Sequence, residues 1–171
     1  NELSYFLGFL NSAVCRYIIK MFNPTLNFQV GNIKALPIVF EKTEFIIKTT
    51  NSNIDLSKNE WNSRETSWDF EKSPLLNEAT SLKEAYKNWQ EQISEDFFQL
   101  HANEEELNRI FIDIYGLQEE LTPKVALKDI TILQEELNGK DLEKLEDTFR
   151  AEGAAAIELP INKAEVISQF I

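Results

Sequence analysis

The chain has 171 residues and a formal net charge of −12 at pH 7. This length suffices for one medium domain or two small ones, and the acidic balance opposes contact with nucleic-acid phosphates over most of the chain. The single cysteine excludes an internal disulfide, which fits a reducing cytoplasm. No apolar run reaches the roughly 18 residues that a membrane span requires, so we expect no membrane partner.

An amphipathic helix is predicted over residues 3–22. Apolar side chains recur there at spacings of three and four residues, which is the period of one helix face. Asn23-Pro24 should end this helix, because the residue before a proline is disfavoured in the helical conformation. Cys15 lies on the apolar face, where we expect a small buried hydrophobe rather than a reactive thiol.

Short strands are predicted near residues 26–39. Apolar and polar side chains alternate from Leu26 to Val30, which is the period of a strand. Gly31-Asn32 supplies a turn, and Pro37 favours an edge strand or a segment outside a sheet.

Residues 41–80 are predicted to form an aromatic-rich connector. A short helix is expected at 41–50, where the only apolar cluster of a polar stretch lies. Trp61 and Trp68 follow in a stretch that we interpret as irregular backbone. Rings of this size usually anchor a loop onto a helical surface. Stacking on bases is the alternative, and the acidic residues around both tryptophans disfavour it.

The strongest periodicity predicts a long amphipathic helix over residues 81–115. Ser81 and Glu84 have the spacing of a capping box at its start, and Gly116 should end it. From Leu82 to Leu100 its apolar side chains step by three and four residues, and the apolar face continues to Ile114. Shorter helices must cover this stripe. The stripe consists of Leu82, Tyr86, Trp89, Ile93, Phe97, Leu100, Leu107, Ile110, Phe111 and Ile114.

Further helices are predicted towards the end of the chain. Asp129 is expected to cap a helix that ends at Asn138-Gly139, and residues 141–156 should form another helix. Asn162 can cap a last helix after the break at Pro160. The predicted fold class is therefore mainly α with a small β element, in which a long amphipathic helix packs with shorter helices.

Only the first 40 residues have a charge that suits DNA. They hold three basic residues and one acidic residue, whereas residues 41–171 have a net charge of −14. Basic side chains contact phosphates and amides read base edges. The alternative gives the amides structural roles, on the outward face of a strand or in its turn. The candidate DNA-binding residues are Arg16, Lys20 and Lys34 for phosphates, and Asn27, Gln29 and Asn32 for bases.

No metal site is predicted. His101 is the only histidine and no cysteines cluster, so the ligands of a zinc site are missing. His101 is expected to face solvent on the long helix. The acidic run at residues 104–106 is interpreted as a solvated helix face rather than a cation site.

Three segments, in this order, resemble one family. They are NPTLNFQVGNIKALPI at residues 23–38, ETSWDFEKSPLL at residues 65–76 and EEELNRIFIDIYGLQEELTP at residues 104–123. The chain resembles the adenine-specific DNA methyltransferases of phage-defence and restriction systems, especially the PglX-type enzymes of BREX systems and the type IIG restriction-modification enzymes. The resemblance implies a parent enzyme that methylates adenine N6 in DNA with S-adenosylmethionine.

The catalytic loop of that family is not found in this sequence. Amino-methyltransferases hold a flipped base with an Asn-Pro-Pro-aromatic loop, but Thr25 and Leu26 follow Asn23-Pro24 here. No glycine-rich loop for S-adenosylmethionine is present either, so we assign no catalytic residue and no cofactor to this chain. Because the sequence begins without methionine, we expect a fragment of a larger protein, and the resemblance implies that the catalytic domain of that protein lies upstream.

The sequence therefore predicts the end of a target-recognition region at residues 1–40, the connector at 41–80, and a helical spacer or interaction region at 81–171. Its expected function is DNA target recognition and helical scaffolding, without catalysis, in a cytoplasmic methyltransferase. One alternative is an acidic helical module that docks another defence-system protein and never contacts DNA. The other is an unrelated helical enzyme domain, which the missing catalytic residues disfavour.

Overall fold

The computed structural model describes residues 2–23, 29–76 and 80–168, and these residues are mainly helical. They form two compact units, Asn1–Asn53 with Ala102–Lys124 (unit 1) and Ile54–His101 with Val125–Ile171 (unit 2). Within the described ranges, none of the helices combines the length and hydrophobicity that a membrane span requires. The helices are α1 (Glu2–Asn11), α2 (Ala13–Phe22), α3 (Val30–Lys34), α4 (Thr43–Asn62), α5 (Leu82–Tyr115), α6 (Gly139–Glu152) and α7 (Lys163–Ser168).

The helix predicted over residues 3–22 is interrupted at Ser12. The backbone of Ser12 is extended, its hydroxyl donates to the Phe9 carbonyl at 2.7 Å, and its oxygen accepts the Cys15 N–H at 3.2 Å. A serine that bonds neighbouring backbone groups in this way ends one helix and caps the next. The apolar period continues across the break, which is why it did not reveal two helices.

The strands predicted near residues 26–39 are absent from the described part of that range, and residues 24–28 lie outside the described residues. Val30–Lys34 forms α3 instead. The Asn32 side-chain oxygen accepts the Gln29 N–H at 2.9 Å, which is half of a capping box. The asparagine that was assigned to a turn therefore helps to start a helix, and the alternating pattern that ends at Val30 does not continue as a strand into the described residues.

Helix α5 confirms the predicted long helix. It begins at Leu82, and the Glu84 N–H donates to the Ser81 hydroxyl at 3.2 Å. It ends before Gly116, whose φ of 66° lies in the left-handed region that favours glycine. By contrast, α4 is twice as long as the helix predicted at residues 41–50 and reaches Asn62.

The core of unit 1 packs α1, α2 and the first part of α4 against the last part of α5. Phe9 and Phe111 are fully buried, and their ring centroids lie 5.6 Å apart in an edge-to-face contact. Asn108 is also buried: its oxygen accepts the Ala13 N–H at 2.8 Å, and its amide donates to the Pro123 carbonyl at 3.2 Å. One polar side chain of α5 thus fixes the start of α2.

The core of unit 2 packs the first part of α5 against α6 and the segments on either side of it. Its buried side chains include Phe97 and Leu100 of α5 and Leu142 of α6. Helix α6 begins at Asn138-Gly139, where the prediction ended a helix, because the Asn138 side chain accepts the Lys140 N–H at 2.9 Å. The helix predicted to follow Asp129 is absent: residues 130–138 form bends and turns, and a single 3-10 turn, Leu127–Asp129, precedes them.

A buried ion-pair cluster ties the end of α4 to the segment before α6. The Arg64 guanidinium lies 2.8 Å from a Glu135 oxygen and 3.0 Å from a Glu136 oxygen, and its Nε donates to Glu60 at 2.9 Å. Arg64 and Glu136 are both almost completely buried. Because a buried charge without a partner is costly, these contacts hold the two segments together.

The predictions that Trp61 and Trp68 anchor a loop and that His101 faces solvent are wrong. Trp68 is fully exposed and Trp61 is half-exposed on α4, so neither ring anchors a loop. His101 is buried rather than solvent-facing: its Nε2 lies 2.8 Å from the Val125 carbonyl oxygen, and its ring meets Phe149 edge-on. The segment that covers His101 comes from a distant part of the sequence, which helical periodicity does not reveal.

Gly8 allows α1 to pack closely against α4. A Cβ at Gly8 would collide with the buried Thr50 hydroxyl, whereas a Cβ at Gly31 would meet nothing within 4 Å. We expect Gly8→Ala to lower the free energy of unfolding by about 1–3 kcal/mol, as overpacked cores do. The matched control, Gly31→Ala, should leave it unchanged or raise it by up to about 1 kcal/mol. Urea unfolding of both variants checks this, and equal effects would contradict the packing.

Burial raises the pKa of the Cys15 thiol from its ordinary value of 9.0 to about 11. The folded protein then holds the proton more tightly than the unfolded chain, so this contribution is complete below pH 9 and lost as pH rises towards 11. We expect the free energy of unfolding to fall more steeply between pH 9 and 11 in the wild-type chain than in Cys15→Ala. Parallel profiles for the two proteins would show that the thiol is not buried.

Candidate nucleic-acid interface

The three cationic candidates lie on α2 and α3 of unit 1. Arg16 and Lys20 are exposed and four residues apart, so they share one face of α2. Lys34 is exposed at the end of α3. None of the three makes an ion pair within 4 Å among the described residues. Their charges are therefore available to an anionic partner.

The amide candidates differ in what their side chains do. Asn32 is half-buried, and its oxygen accepts the Gln29 N–H at 2.9 Å and the Asn23 amide at 3.4 Å. Its oxygen thus starts α3 and ties it to the end of α2. Gln29 is exposed immediately before α3. Asn27 lies outside the described residues.

Two tyrosine hydroxyls hold the chain that follows α3. Tyr115 of α5 donates to the Pro37 carbonyl at 2.5 Å and accepts the Val39 N–H at 3.2 Å. Tyr5 of α1 donates to the Val39 carbonyl at 2.5 Å and accepts the Glu41 N–H at 3.3 Å. We call residues 37–41 with these two hydroxyls the tyrosine clamp.

Aromatic contacts with the core of unit 1 support the two tyrosine rings of the clamp. The Tyr115 ring stacks on Phe9 with centroids 5.6 Å apart, and the Tyr5 ring meets Phe111 edge-on at 5.8 Å. Burial raises the pKa of Tyr5 and of Tyr115 above the ordinary phenol value. Both hydroxyls therefore keep their protons at neutral pH and remain hydrogen-bond donors.

Exposed apolar side chains adjoin the cations. Met21, Phe22 and Val30 are each more than half exposed, close in sequence to Lys20 and Lys34. Sequence reasoning placed Met21 on the covered face of the first helix and missed this surface. The periodicity gave no signal for it, because an apolar residue on a helix does not reveal whether another element covers it.

The described residues contain no group of three or more histidine, cysteine, aspartate or glutamate side chains that could hold a metal ion. Helix α2 ends at Phe22, with Asn23 donating its backbone N–H to the Ile19 carbonyl at 2.8 Å. Asn23 therefore acts as a helix cap. Among the described residues, this surface offers cations and exposed apolar groups for binding.

Two curated proteins are similar in sequence to this chain. It is 38% identical over 136 residues to "Adenine-specific methyltransferase PglX" of Lacticaseibacillus casei (strain Zhang), a match that covers 76% of this chain and 11% of the relative. It is 29% identical over 154 residues to "Adenine-specific methyltransferase BrxX" of Escherichia coli O9:H4 (strain HS), covering 87% and 12%. The chain thus spans little more than a tenth of either relative. No known protein-family profile matches it.

The tyrosine clamp can be tested by removing one hydroxyl. Tyr115→Phe leaves the Pro37 carbonyl and the Val39 N–H without their partner, and we expect a loss of about 1–2 kcal/mol of unfolding free energy and faster hydrogen exchange at Val39. Tyr17→Phe is the control, because the Tyr17 hydroxyl makes no hydrogen bond among the described residues. Unchanged exchange at Val39 in Tyr115→Phe would rule the clamp out.

Proposed function

This chain belongs to the family of PglX-type adenine-specific methyltransferases, and we propose that it is a non-catalytic part of an enzyme that methylates adenine N6 in DNA. Both relatives are named adenine-specific methyltransferases, and the chain matches 11–12% of their length. A BREX-type phage-defence system, in which host DNA is marked by methylation, is the proposed setting.

The proposed role of this part is to contact the DNA backbone through α2 and α3. The observation that carries the proposal is the set of three exposed cations, Arg16, Lys20 and Lys34, without ion-pair partners within 4 Å among the described residues of an otherwise acidic chain. Arg16 and Lys20 are about 6 Å apart along the helix axis. Contacts of this kind neutralise phosphates and position a protein without reading sequence.

We propose that base reading by this chain falls to Gln29 and Asn27. An amide side chain can form a pair of hydrogen bonds with adenine in the major groove. Asn32 is the weaker candidate, because its oxygen already accepts the Gln29 N–H. We propose that Asn32 keeps Gln29 in place and does not itself contact a base.

S-adenosylmethionine is the proposed methyl donor of the whole enzyme, and it would bind outside this chain. Asn23-Pro24-Thr25-Leu26 lacks the second proline and the aromatic residue of the base-holding loop. The tyrosine clamp and α5 would instead provide a scaffold, because they hold the chain after α3 in one place. The region boundaries at residues 40 and 80 remain part of this proposal.

Docking of another defence-system protein is the second candidate function. It is favoured by Trp68, which is fully exposed beside Asp69 and Glu71, and by the net charge of −14 in residues 41–171. Tryptophan is enriched among the residues that dominate binding energy at protein interfaces. This surface and the cations of α2 and α3 involve different residues, so one chain can perform both functions.

Salt-dependent DNA binding tests the first proposal. Fluorescence anisotropy of labelled duplex DNA should show binding at about 50 mM salt, with at least about tenfold weaker binding for the triple variant Arg16→Ala, Lys20→Ala, Lys34→Ala. The slope of log affinity against log salt should fall by about 0.9 for each phosphate that the variant no longer neutralises.

The matched control is the triple variant Lys48→Ala, Lys58→Ala, Lys124→Ala, which removes the same charge from other exposed positions. It should bind DNA with nearly the affinity of the unmodified chain. No binding at low salt, or equal losses in the two triple variants, would refute DNA contact through α2 and α3.

A further inference from the structure

An open cavity of about 390 Å³ lies in unit 2 beside the start of α5. Three lysines line it, Lys83 and Lys87 of α5 and Lys163 of α7, together with Tyr86 and one carboxylate, Glu84. Lys83 and Lys87 are four residues apart and share a helix face. The folding of the chain brings Lys163 to them from α7.

The lysine charges are largely uncompensated. Neither Lys83 nor Lys163 makes an ion pair within 4 Å among the described residues. The Lys87 ammonium lies 3.5 Å from a Glu91 oxygen, and both of these side chains are mostly exposed. An exposed pair of this kind is weak. The lysines can therefore turn towards a ligand without breaking a strong contact.

The nearby acidic groups are partly occupied by other partners. Glu84 accepts the Thr80 N–H at 2.9 Å and the Thr80 hydroxyl, and the hydroxyl bond, followed by the N–H bond, lowers the pKa of Glu84. It is therefore charged at neutral pH and directed to Thr80. Glu158 accepts the Gln90 amide at 3.0 Å. The lining thus contains three lysines and one acidic residue.

The cavity wall also has an unsatisfied polar group. The Tyr86 hydroxyl oxygen is buried and has no hydrogen-bond partner among the described residues. An unpartnered buried hydroxyl next to a cavity is a group that a bound water or ligand oxygen can satisfy. The Tyr86 ring already has two neighbours, since the Lys163 ammonium lies over it at 5.5 Å from its centroid and the Trp89 ring contacts it at a tilt, with centroids 5.7 Å apart. A base is therefore not expected to stack on Tyr86.

We propose that this cavity binds a phosphate group through Lys83, Lys87 and Lys163. Lysine ammonium groups are compact donors that suit phosphate oxygens, and the partial positive charge at the start of a 34-residue helix adds to their field. The phosphate belongs either to a DNA backbone or to a free nucleotide. This site goes beyond the proposed function, because it lies in the acidic part of the chain to which no DNA contact was assigned.

The test compares two double variants of the whole chain with three probes: labelled duplex DNA, ATP and inorganic phosphate. Lys83→Ala with Lys163→Ala should weaken binding of at least one probe by about fivefold or more, and for DNA should lower the salt slope by about 0.9 per phosphate no longer neutralised. Lys72→Ala with Lys140→Ala, which removes two exposed lysines elsewhere in unit 2, should retain the affinity.

The probes separate the two sources of the phosphate. If the Lys83→Ala, Lys163→Ala variant loses affinity only for duplex DNA, the site binds a backbone phosphate. If it loses affinity only for ATP or inorganic phosphate, the site binds a free ligand. Lys83→Arg with Lys163→Arg should restore binding, because the charge is kept. If no probe binds, or if the two alanine variants lose affinity equally, the proposal is wrong. The DNA-binding measurement can be repeated in the triple variant Arg16→Ala, Lys20→Ala, Lys34→Ala. A loss of DNA affinity caused by the cavity variants can then be distinguished from a loss caused by the α2–α3 surface.

Discussion

Coverage of the apolar stripe on α5 is the constraint on which both units depend. The stripe contributes Phe97 and Leu100 to one core and Leu107, Ile110 and Phe111 to the other. Fully burying one such side chain is worth roughly 1.5–3 kcal/mol, so several of them outweigh the local preferences of the segments that cover them. Each unit is built from its own part of this helix, and the shorter helices are placed where they exclude water from it.

Polar groups along α5 then determine which parts of the chain cover it. Asn108 accepts the Ala13 N–H at 2.8 Å, one of the N–H groups in the first turn of α2 that has no partner within its own helix. This contact fixes the start of the helix that carries Arg16 and Lys20. Tyr115, one residue before Gly116, holds the chain that leaves α3. The proposed DNA-contacting surface is thus positioned by contacts that are not themselves part of it.

The sequence predicted those elements whose signal is local. Helix α5 was found because its apolar residues repeat regularly and Ser81 and Gly116 bound them. The start of α7 was found for the same reason, because Asn162 can cap a helix. Non-local features were missed: His101 is buried because Val125 and Phe149 cover it, and Trp68 is exposed because no described element covers it. The cavity beside Tyr86 depends on Lys163, which periodicity cannot place near Lys83. Arg16, Lys20 and Lys34 were identifiable because they stand out in an acidic chain.

The central claim is that the cations of α2 and α3 contact DNA while the acidic remainder of unit 1 does not. Lysine acetylation followed by mass spectrometry, with and without duplex DNA at low salt, measures this for each side chain. The account predicts that DNA slows modification of Lys20 and Lys34 several-fold and leaves Lys48 and Lys124, which are also exposed, unaffected. Equal rates at Lys20 and Lys34 with and without DNA, or uniform slowing at all four lysines, would contradict it.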